Sequence, residues 1–303
     1  IHENKCHSLK FYRSKGGYEQ ARKALNDWQP DDLIETVKAA NLRGRGGAGF
    51  PTGVKWGFVP KQVDKPKYLA VNADESEPGT FKDRLIMEKN PHLLLEGIII
   101  CCKAVGIQHA YIYIRGEFVF GANRLQNAID RAYSEGILGD RCLDSDFKLD
   151  VTVHRGAGAY ICGEETGMLT SIEGDRGQPK LKPPFPAIEG LFGCPTVVNN
   201  VETLANLPYI LEIGADEYRK IGPEKSPGPK LFCVSGHVEK PGVFELPMGV
   251  SLRTLIDEHA GGVWKGRKLK AVIPGGSSAH VLRADECDVD MDIESLAAAG
   301  TML

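Results

Sequence analysis

Short apolar runs alternate with longer helical patterns from residue 67 onward. KYLAVNA (67–73), HAYIYIR (109–115) and FKLDVTVHR (147–155) each predict a strand. Between them, residues 91–106 predict an apolar helix and residues 117–135 an amphipathic helix. Because strands and helices alternate, the pattern predicts an α/β fold with a mostly parallel sheet.

A different pattern follows residues 222–230, GPEKSPGPK, whose proline, glycine and charge predict a linker between domains. KLFCVSGHV (230–238) and GVFELP (242–247) predict a hairpin. SLRTLIDEHAG (251–261) predicts a helix capped by its first residue, and KAVIPGG (270–276) predicts another strand. This order of elements resembles a β-grasp, ubiquitin-like domain.

The segment 43–57, RGRGGAGFPTGVKWG, holds six glycines in fifteen positions. Because glycine lacks a Cβ, the backbone N–H groups of such a segment can approach a flat or phosphorylated ligand closely. Cationic side chains for anionic groups and aromatic rings for stacking lie among the glycines or directly after them: Arg43, Arg45, Lys55, Phe50, Trp56 and Phe58. We therefore predict a nucleotide or flavin site, with a flexible surface loop as the alternative.

The same glycines fit the dinucleotide fingerprint GxGxxG at Gly44, Gly46 and Gly49. That fingerprint requires a strand before the glycines and a helix after them. Residues 30–42 predict a helix instead, and Pro51 is followed by more loop. We therefore do not expect an ordinary Rossmann phosphate turn.

Acidic residues follow the first predicted strand directly, in NADESEPGT (72–80). The C-terminal end of a buried parallel strand is where open α/β sheets place their ligands. There Asn72, Asp74 and Glu75 could accept hydrogen bonds from ribose hydroxyls, a carboxamide or a flavin ring. A solvated acidic turn is the alternative interpretation.

Two further loops carry candidate residues. In RGAGAYICGEET (155–166), Glu164 and Glu165 open a predicted helix whose dipole stabilises acids, and capping alone is the alternative. In the segment 181–203, prolines stiffen an extended loop that would hold Lys182 and Phe185 at the edge of a pocket.

A helix predicted over residues 199–213 begins with Asn199 and Asn200 and continues through Thr203. A helix N-terminus binds phosphate readily, so these three residues form a candidate phosphate site, with simple capping as the alternative for Asn199. A fourth glycine loop, IPGGSSAH (273–280), predicts a turn without a ligand role.

The composition argues against a nucleic-acid-binding protein, a membrane-spanning protein and a metal site. A net charge of −3 without a basic block gives no reason to expect a nucleic-acid partner. The most apolar stretch, LLLEGIIICCKAVGI, is interrupted by Glu96 and Lys103 and is too short to span a membrane. Eight cysteines without a CxxC pair predict no metal site, and Cys101 and Cys102 predict inert core thiols in a reducing compartment.

Six blocks in order carry a family resemblance. GRGGAGFPTGVKW, NADESEPGTFKDR, YIYIRGEF, RGAGAYICGEET, KPPFPA and NNVET resemble the NADH- and FMN-binding subunit of respiratory complex I, the NADH:quinone oxidoreductase. The diaphorase subunits of soluble NAD-linked hydrogenases and formate dehydrogenases share these blocks. The resemblance implies an NADH dehydrogenase that passes a hydride to FMN and single electrons to iron–sulfur clusters. A non-catalytic assembly scaffold is the alternative from another class.

The resemblance also implies a domain order. Residues 1–52 would form N-terminal helices and the glycine-rich loop, and residues 53–222 a Rossmann-like FMN- and NADH-binding domain. Residues 230–303 would form the β-grasp, soluble-ligand-binding domain and the start of a C-terminal domain.

Particular residues match the family's motifs. The residues implied to contact FMN are Gly44, Gly46, Lys55, Asn72, Asp74, Tyr160, Glu164, Asn199, Asn200 and Thr203. Those implied to line the NADH site are Gly47, Ala48, Phe50, Lys55, Phe58, Glu77, Glu165, Lys182 and Phe185. Glu77 and Glu165 are the candidate catalytic residues. Glu77 would orient the nicotinamide end, while Phe50, Phe58 and Phe185 would stack on the adenine.

The chain departs from the family in one respect. The family's helical bundle carries a CxxCxxC motif and a later cysteine that bind a 4Fe–4S cluster, and no such motif occurs here. We therefore expect a truncated chain, with the cluster only in a missing C-terminal domain and no metal in this one.

The resemblance also implies partners and a location. The implied partners are a small thioredoxin-like 2Fe–2S subunit and a larger iron–sulfur subunit. The implied location is the cytoplasmic face of the inner membrane, or the matrix side in a mitochondrion, without membrane insertion.

Overall fold

A computed structural model describes residues 6–303, so the first five residues of the predicted N-terminal part lie outside the described chain. Its strands are β1 (Tyr68–Ala73), β2 (His109–Ile114), β3 (Asp150–Arg155), β4 (Thr196–Asn200), β5 (Pro229–Val234), β6 (Gly242–Pro247), β7 (Ala271–Val272) and β8 (Leu282–Arg283). Its α-helices are α1 (Leu9–Ser14), α2 (Glu19–Asn26), α3 (Pro30–Ala39), α4 (Thr52–Gly57), α5 (Lys82–Lys89), α6 (Pro91–Val105), α7 (Val119–Ser134), α8 (Glu165–Ile172), α9 (Val201–Ala205), α10 (Leu207–Ile213), α11 (Ala215–Arg219), α12 (Leu252–Thr254) and α13 (Ile293–Ala298).

The central sheet is parallel throughout and has the strand order β3-β2-β1-β4. This confirms the predicted α/β fold. Buried side chains of β1 pack toward α6 through Leu69 and Val71, while Ala70 packs on the opposite face with Met168 of α8. Because both faces are covered, the strands are buried and read as near-continuous apolar runs.

Helix α6 forms the centre of the main core, where Leu94, Leu95, Ile98 and Ile99 are fully buried. At Gly97 a Cβ would lie 2.1 Å from the carbonyl oxygen of Leu204, so only glycine allows α9 to approach α6 this closely. Cys101 and Cys102 lie in the same core, and burial raises the pKa of both thiols. In the described part of the chain, no helix is long and apolar enough to cross a membrane.

The second domain has its own small core. Strands β5 and β6 form an antiparallel hairpin, as the pattern predicts, and β7 pairs with β8. The helix predicted over residues 251–261 begins as α12, with Ser251 Oγ accepting from the backbone N–H of Thr254 at 3.0 Å, and continues as a π-helical turn. The strand predicted over 270–276 is shorter than expected and covers only β7.

The helix predicted over residues 199–213 is confirmed from Val201 onward, as α9 and α10, but its predicted start at Asn199 is wrong. Residues 196–200 form β4, which pairs in register with β1, and Asn199 and Asn200 are its last two residues. Helix α9 begins only at Val201, with Asn200 as its N-cap, and ends before α10 starts. Strand pairing with β1 overrides the local helical pattern, because β4 completes the buried sheet.

Candidate functional site

The carboxyl ends of β1 and β4 meet at the point where the strand order reverses. Starting from β1, the chain adds β2 and β3 on one side and β4 on the other. Asn72 of β1 lies opposite Asn200 of β4 in the parallel register. Asn72 Nδ2 donates to the carbonyl oxygen of Gly163 at 2.8 Å, which holds the loop before α8 over the end of β1. In open α/β sheets, ligands bind in the crevice outside such a reversal.

Asp74 follows β1 at the same edge and is buried. Its Oδ2 accepts from Ser76 Oγ at 2.9 Å. Burial raises the pKa of this carboxyl, while the hydrogen bond from Ser76 and the charge of Arg115 oppose that shift. Asp74 therefore offers an acceptor, or a donor when protonated, to a ligand in the crevice.

The glycine-rich loop folds over the end of β4. The backbone N–H of Arg45 donates to Thr203 Oγ1 at 2.8 Å. A Cβ at Gly46 would lie 3.1 Å from Asn200 Cβ, so this loop passes directly beside the strand end. The structure thus brings Gly44 and Gly46 together with Asn200 and Thr203.

The outer side of the loop is open. Gly47 has φ +106°, and a Cβ there would meet none of the described atoms within 4 Å. Gly47, Ala48 and Phe50 are exposed. The rings of Phe50 and Phe58 lie 6.1 Å apart at an interplanar angle of 49°, so two exposed aromatic faces stand side by side.

Helix α4 connects the loop to β4. Trp56 Nε1 donates to Asn199 Oδ1 at 2.9 Å, and Lys55 Nζ donates to the carbonyl oxygen of Val198 at 3.2 Å. Burial lowers the pKa of Lys55, although the nearby carboxylate of Glu165 opposes that shift. Asn199 lies within β4 with its amide oxygen already engaged, so its predicted place at a helix N-terminus is wrong.

The two arginines of the loop have different surroundings. Arg43 Nη1 pairs with Glu294 Oε1 at 3.0 Å. Arg45 is buried and donates through Nη2 to the carbonyl oxygen of Pro227 at 2.8 Å. Within residues 6–303, Arg45 Nε and Nη1 have no hydrogen-bond partner. Arg45 therefore keeps two buried donor nitrogens for an anion.

Glu164 and Glu165 begin α8 and share one cation. Glu164 Oε2 accepts from the backbone N–H groups of Thr166 and Gly167 at 2.8 and 2.9 Å, so Glu164 caps the helix. Lys182 Nζ pairs with Glu165 and lies 3.3 Å from Glu164 Oε1. Partial burial opposes ionisation of Glu164, but the hydrogen bonds from Thr166 and Gly167 and the charge of Lys182 hold its pKa below the usual value.

Glu77 lies where three loops meet. Its Oε2 accepts from the hydroxyl of Tyr160, and its Oε1 accepts from Ser277 Oγ at 2.7 Å and from the Ser277 backbone N–H. The hydrogen bonds from Tyr160 and Ser277 lower the pKa of Glu77. The fourth glycine loop, for which the sequence predicts only a turn, therefore reaches a candidate site residue.

The Lys82 cluster lies beneath the strand ends. It consists of the buried Lys82, Asp83 and Glu202 together with Lys230, whose side chain is mostly buried. Lys82 Nζ lies 2.8 Å from Asp83 Oδ1 and 2.8 Å from Glu202 Oε2. Asn200 Nδ2 donates to Asp83 Oδ2 at 2.6 Å. Burial lowers the pKa of Lys230 to about 8, despite the nearby carboxylate of Glu202.

No sequence motif predicts a role for the Lys82 cluster or for Ser277. Lys82 and Asp83 fall in the block NADESEPGTFKDR, which is the only local signal. Lys230 lies at the start of the β-grasp domain and reaches the cluster only through the fold.

Phe185 is exposed, and among the described residues its ring contacts neither Phe50 nor Phe58. The stacking of Phe185 on the adenine stays a prediction.

Comparisons with known proteins match both domains. Residues 37–209 match the family model described as the Nuo51 FMN-binding domain, and residues 230–299 match that of the SLBB domain. The NADH-quinone oxidoreductase F-subunit 2 of Rhizobium meliloti (strain 1021) is 60% identical over 297 residues, which cover 98% of this chain and 70% of that protein. The F-subunit of the same oxidoreductase in Streptomyces coelicolor (strain ATCC BAA-471 / A3(2) / M145) is 54% identical over 301 residues, 99% of this chain and 67% of that protein.

Solved structures show the same fold. The NAD+-reducing [NiFe]-hydrogenase in the air-oxidised state matches with a TM-score of 0.81 at 38% identity over 93% of this chain. The H2-reduced state matches with a TM-score of 0.84 at 37% identity over 95% of this chain. The chain spans 48% of each hydrogenase chain, about half of its length.

Proposed function

Because the chain belongs to the family of the Nuo51 FMN-binding domain, we propose that it is the electron-entry subunit of a respiratory NADH:quinone oxidoreductase. In this role it oxidises NADH by hydride transfer to FMN. The relatives with the highest identity quoted above carry the name of a subunit of that oxidoreductase.

The position of Asn72 and Asn200 is the main support for the proposal. Asn72 and Asn200, matched to FMN contacts through separate motifs, lie opposite each other at the reversal point of the sheet. The glycine-rich loop covers them through the hydrogen bond from Arg45 to Thr203. Residues distant in sequence therefore meet where α/β folds bind nucleotides.

The described residues fit FMN. A Cβ at Gly46 would contact Asn200 tightly at 3.1 Å, so glycine leaves bare backbone there for the flavin ring. Arg45 has two buried nitrogens without partners, which match the anionic phosphate. The FMN site would comprise the predicted Gly44, Gly46, Lys55, Asn72, Asp74, Tyr160, Glu164, Asn199, Asn200 and Thr203, with Arg45 in addition.

When bound, FMN supplies the two-electron to one-electron chemistry that no side chain offers. The chain's own part is to position NADH for hydride transfer. The exposed rings of Phe50, Phe58 and Phe185 would stack on the adenine. Glu165 and Lys182 would contact the adenosine half, and Glu77 would orient the nicotinamide end. Gly47 and Ala48 leave the loop surface open to the pyrophosphate.

Electrons leave through other centres in this proposal. Among residues 6–303, no group of His, Cys, Asp or Glu side chains could hold a metal ion. The 4Fe–4S cluster of the family would therefore need ligands outside the described residues. We propose a thioredoxin-like 2Fe–2S subunit and a larger iron–sulfur subunit as partners, in a peripheral arm on the cytoplasmic or matrix side of the membrane.

Flavin content and turnover test the proposal. We expect the chain, purified with FMN, to absorb visible light with one flavin per chain and to reduce ferricyanide with NADH. Iron and acid-labile sulfide should be absent from it. A chain that folds but binds no FMN would instead support the scaffold alternative.

A diaphorase subunit of an NAD-linked hydrogenase or formate dehydrogenase is the second candidate, because the hydrogenase structures match nearly the whole chain. The subunits that co-purify from the native host distinguish the two. Quinone-reductase subunits would support the first proposal, and hydrogenase or formate dehydrogenase subunits would support the second.

A further inference from the structure

The carboxylate of Glu77 is held from both sides by separate parts of the chain. Tyr160, in the loop before α8, donates its hydroxyl to Oε2. Ser277, 200 residues away in sequence and in the loop after β7, donates both its hydroxyl and its backbone N–H to Oε1. Each carboxylate oxygen therefore has its own donor, which fixes the rotation of the carboxyl group as well as its place.

The loop after β7 is shaped for this contact. Gly276 has φ +95°, in the left-handed region that favours glycine. A Cβ at Gly276 would lie 2.6 Å from both Cγ and Oε1 of Glu77. Glycine at this position therefore allows the loop to approach the side chain of Glu77, and Ser277 follows directly to make the hydrogen bonds.

A glutamate on a loop would otherwise be free to rotate. Its side chain has several rotatable bonds, and ordering it costs conformational entropy that a ligand would have to overcome. Two fixed oxygens remove that cost before the ligand binds. Oε2, which among the described residues accepts only from Tyr160, then keeps a lone pair that points in a set direction. Preorganisation of this kind increases affinity without any new contact to the ligand.

We propose that Ser277 is a positioning residue of the NADH site: the β-grasp domain holds Glu77 through Ser277 in the orientation that receives the nicotinamide end of the nucleotide. This inference rests on the proposed function, because it takes Glu77 as the residue that meets the nicotinamide. It assigns the β-grasp domain a direct part in nucleotide binding, and Ser277 itself touches no reacting atom.

The test compares two ligands on the FMN-loaded chain by calorimetry. NAD+ carries the nicotinamide, whereas ADP-ribose keeps the adenosine and pyrophosphate but lacks that ring. We expect Ser277→Ala to weaken NAD+ binding about three- to tenfold, the size of one lost hydrogen bond, and to leave ADP-ribose binding unchanged. Ser277→Thr keeps a hydroxyl and should restore most of the NAD+ affinity.

Two controls make the result specific. Ser278→Ala removes the neighbouring hydroxyl, which makes no hydrogen bond to Glu77 in the described structure, and should bind both ligands like the wild type. In a Glu77→Ala background, Ser277→Ala should have no further effect, since a residue that acts through Glu77 loses its action with it. Gly276→Ala, which displaces Glu77 directly, should weaken NAD+ binding more than Ser277→Ala does.

Different results would contradict the role of Ser277 and the proposed NADH oxidation. Equal loss for NAD+ and ADP-ribose, no loss for either, or the same loss in the Glu77→Ala background would each overturn the role of Ser277 while NADH oxidation by the wild type still stands. A wild-type chain that binds FMN but neither nucleotide would overturn the proposed function and this inference with it.

Discussion

Glu202 Oε1 accepts a hydrogen bond from the backbone N–H of Leu231 at 2.7 Å, and this bond joins α9 to β5, the first strand of the β-grasp domain. Glu202 is buried, and its other oxygen pairs with Lys82 at 2.8 Å. The carboxylate of Glu202 thus neutralises the buried ammonium of Lys82 and also accepts the hydrogen bond from the Leu231 N–H of β5. Removing its charge leaves a buried cation less compensated, which costs more than losing a surface pair.

We expect Glu202→Gln to lower the free energy of unfolding by about 2–4 kcal/mol, because Lys82 then keeps its ion pair with Asp83 but loses the one with Glu202. Guanidinium denaturation measures this difference. Glu217→Gln is the matched control, since Glu217 pairs with the exposed Lys220 and should change stability little. Equal effects of the two substitutions would show that the buried pair has no special weight.

We expect Gly46→Val to abolish FMN retention. A Cβ at Gly46 already lies 3.1 Å from Asn200 Cβ, so two further methyl groups would displace the strand end or fill the flavin cleft. Visible absorption per chain after gel filtration measures the bound flavin. Gly57→Ala serves as the control, because a Cβ there meets only the flexible end of Lys38 at 3.7 Å. A Gly46→Val variant with full flavin content would exclude this loop from the site.

We expect Glu165→Gln to raise the ratio of NADPH to NADH turnover about tenfold to a hundredfold. In the wild type the carboxylate pairs with Lys182 and would repel the additional ribose phosphate of NADPH. The variant removes this negative charge and leaves Lys182 with Glu164 as its ion-pair partner, so its ammonium is less neutralised and can meet the phosphate. The measurement is kcat/KM for both nucleotides.

Glu173→Gln is the control for that prediction. Glu173 follows α8 at its other end and pairs with Lys180 at 3.4 Å, so it shares the helix but not the site. An unchanged ratio in Glu165→Gln would mean that Glu165 serves only the helix and its pair with Lys182.

We expect His92 to make the protein less stable as the pH falls from about 6.5 toward about 4. His92 is buried in α6 beside the hydroxyl of Tyr18, 2.8 Å from its Nδ1, and burial lowers its pKa to about 4. In that pH window the unfolded chain binds a proton that the folded chain does not, so the folded state loses free energy relative to the unfolded one. The contribution is on the order of 3 kcal/mol.

Urea denaturation of the wild type and of His92→Asn, at several pH values across this window, measures the effect. The stability of the wild type should fall more steeply than that of the variant, while the carboxylates shared by both chains contribute equally. Parallel curves would show that His92 does not contribute to the acid sensitivity.

The sequence by itself determined the fold class and much of the element order. Strands buried on both faces need continuous apolar runs, and KYLAVNA and HAYIYIR supply them, so β1 and β2 could be predicted within a residue or two. The glycine-rich segment and the acids after β1 also identified their loops as candidates, because glycine content and strand-end acids are local properties. The contacts with FMN and NADH assigned to these loops stay predictions.

Only the tertiary structure decided which strands pair across the sheet and which residues meet between the domains. Residues 196–200 became β4 because β1 offers a free edge, and local pattern does not record such an edge. Ser277 and Glu77 meet across 200 residues, and Lys230 joins Glu202 from another domain. Contacts of this kind form only when separate segments pack together. Their free energy depends on how deeply the polar side chains are buried, and the sequence of one segment does not determine that burial.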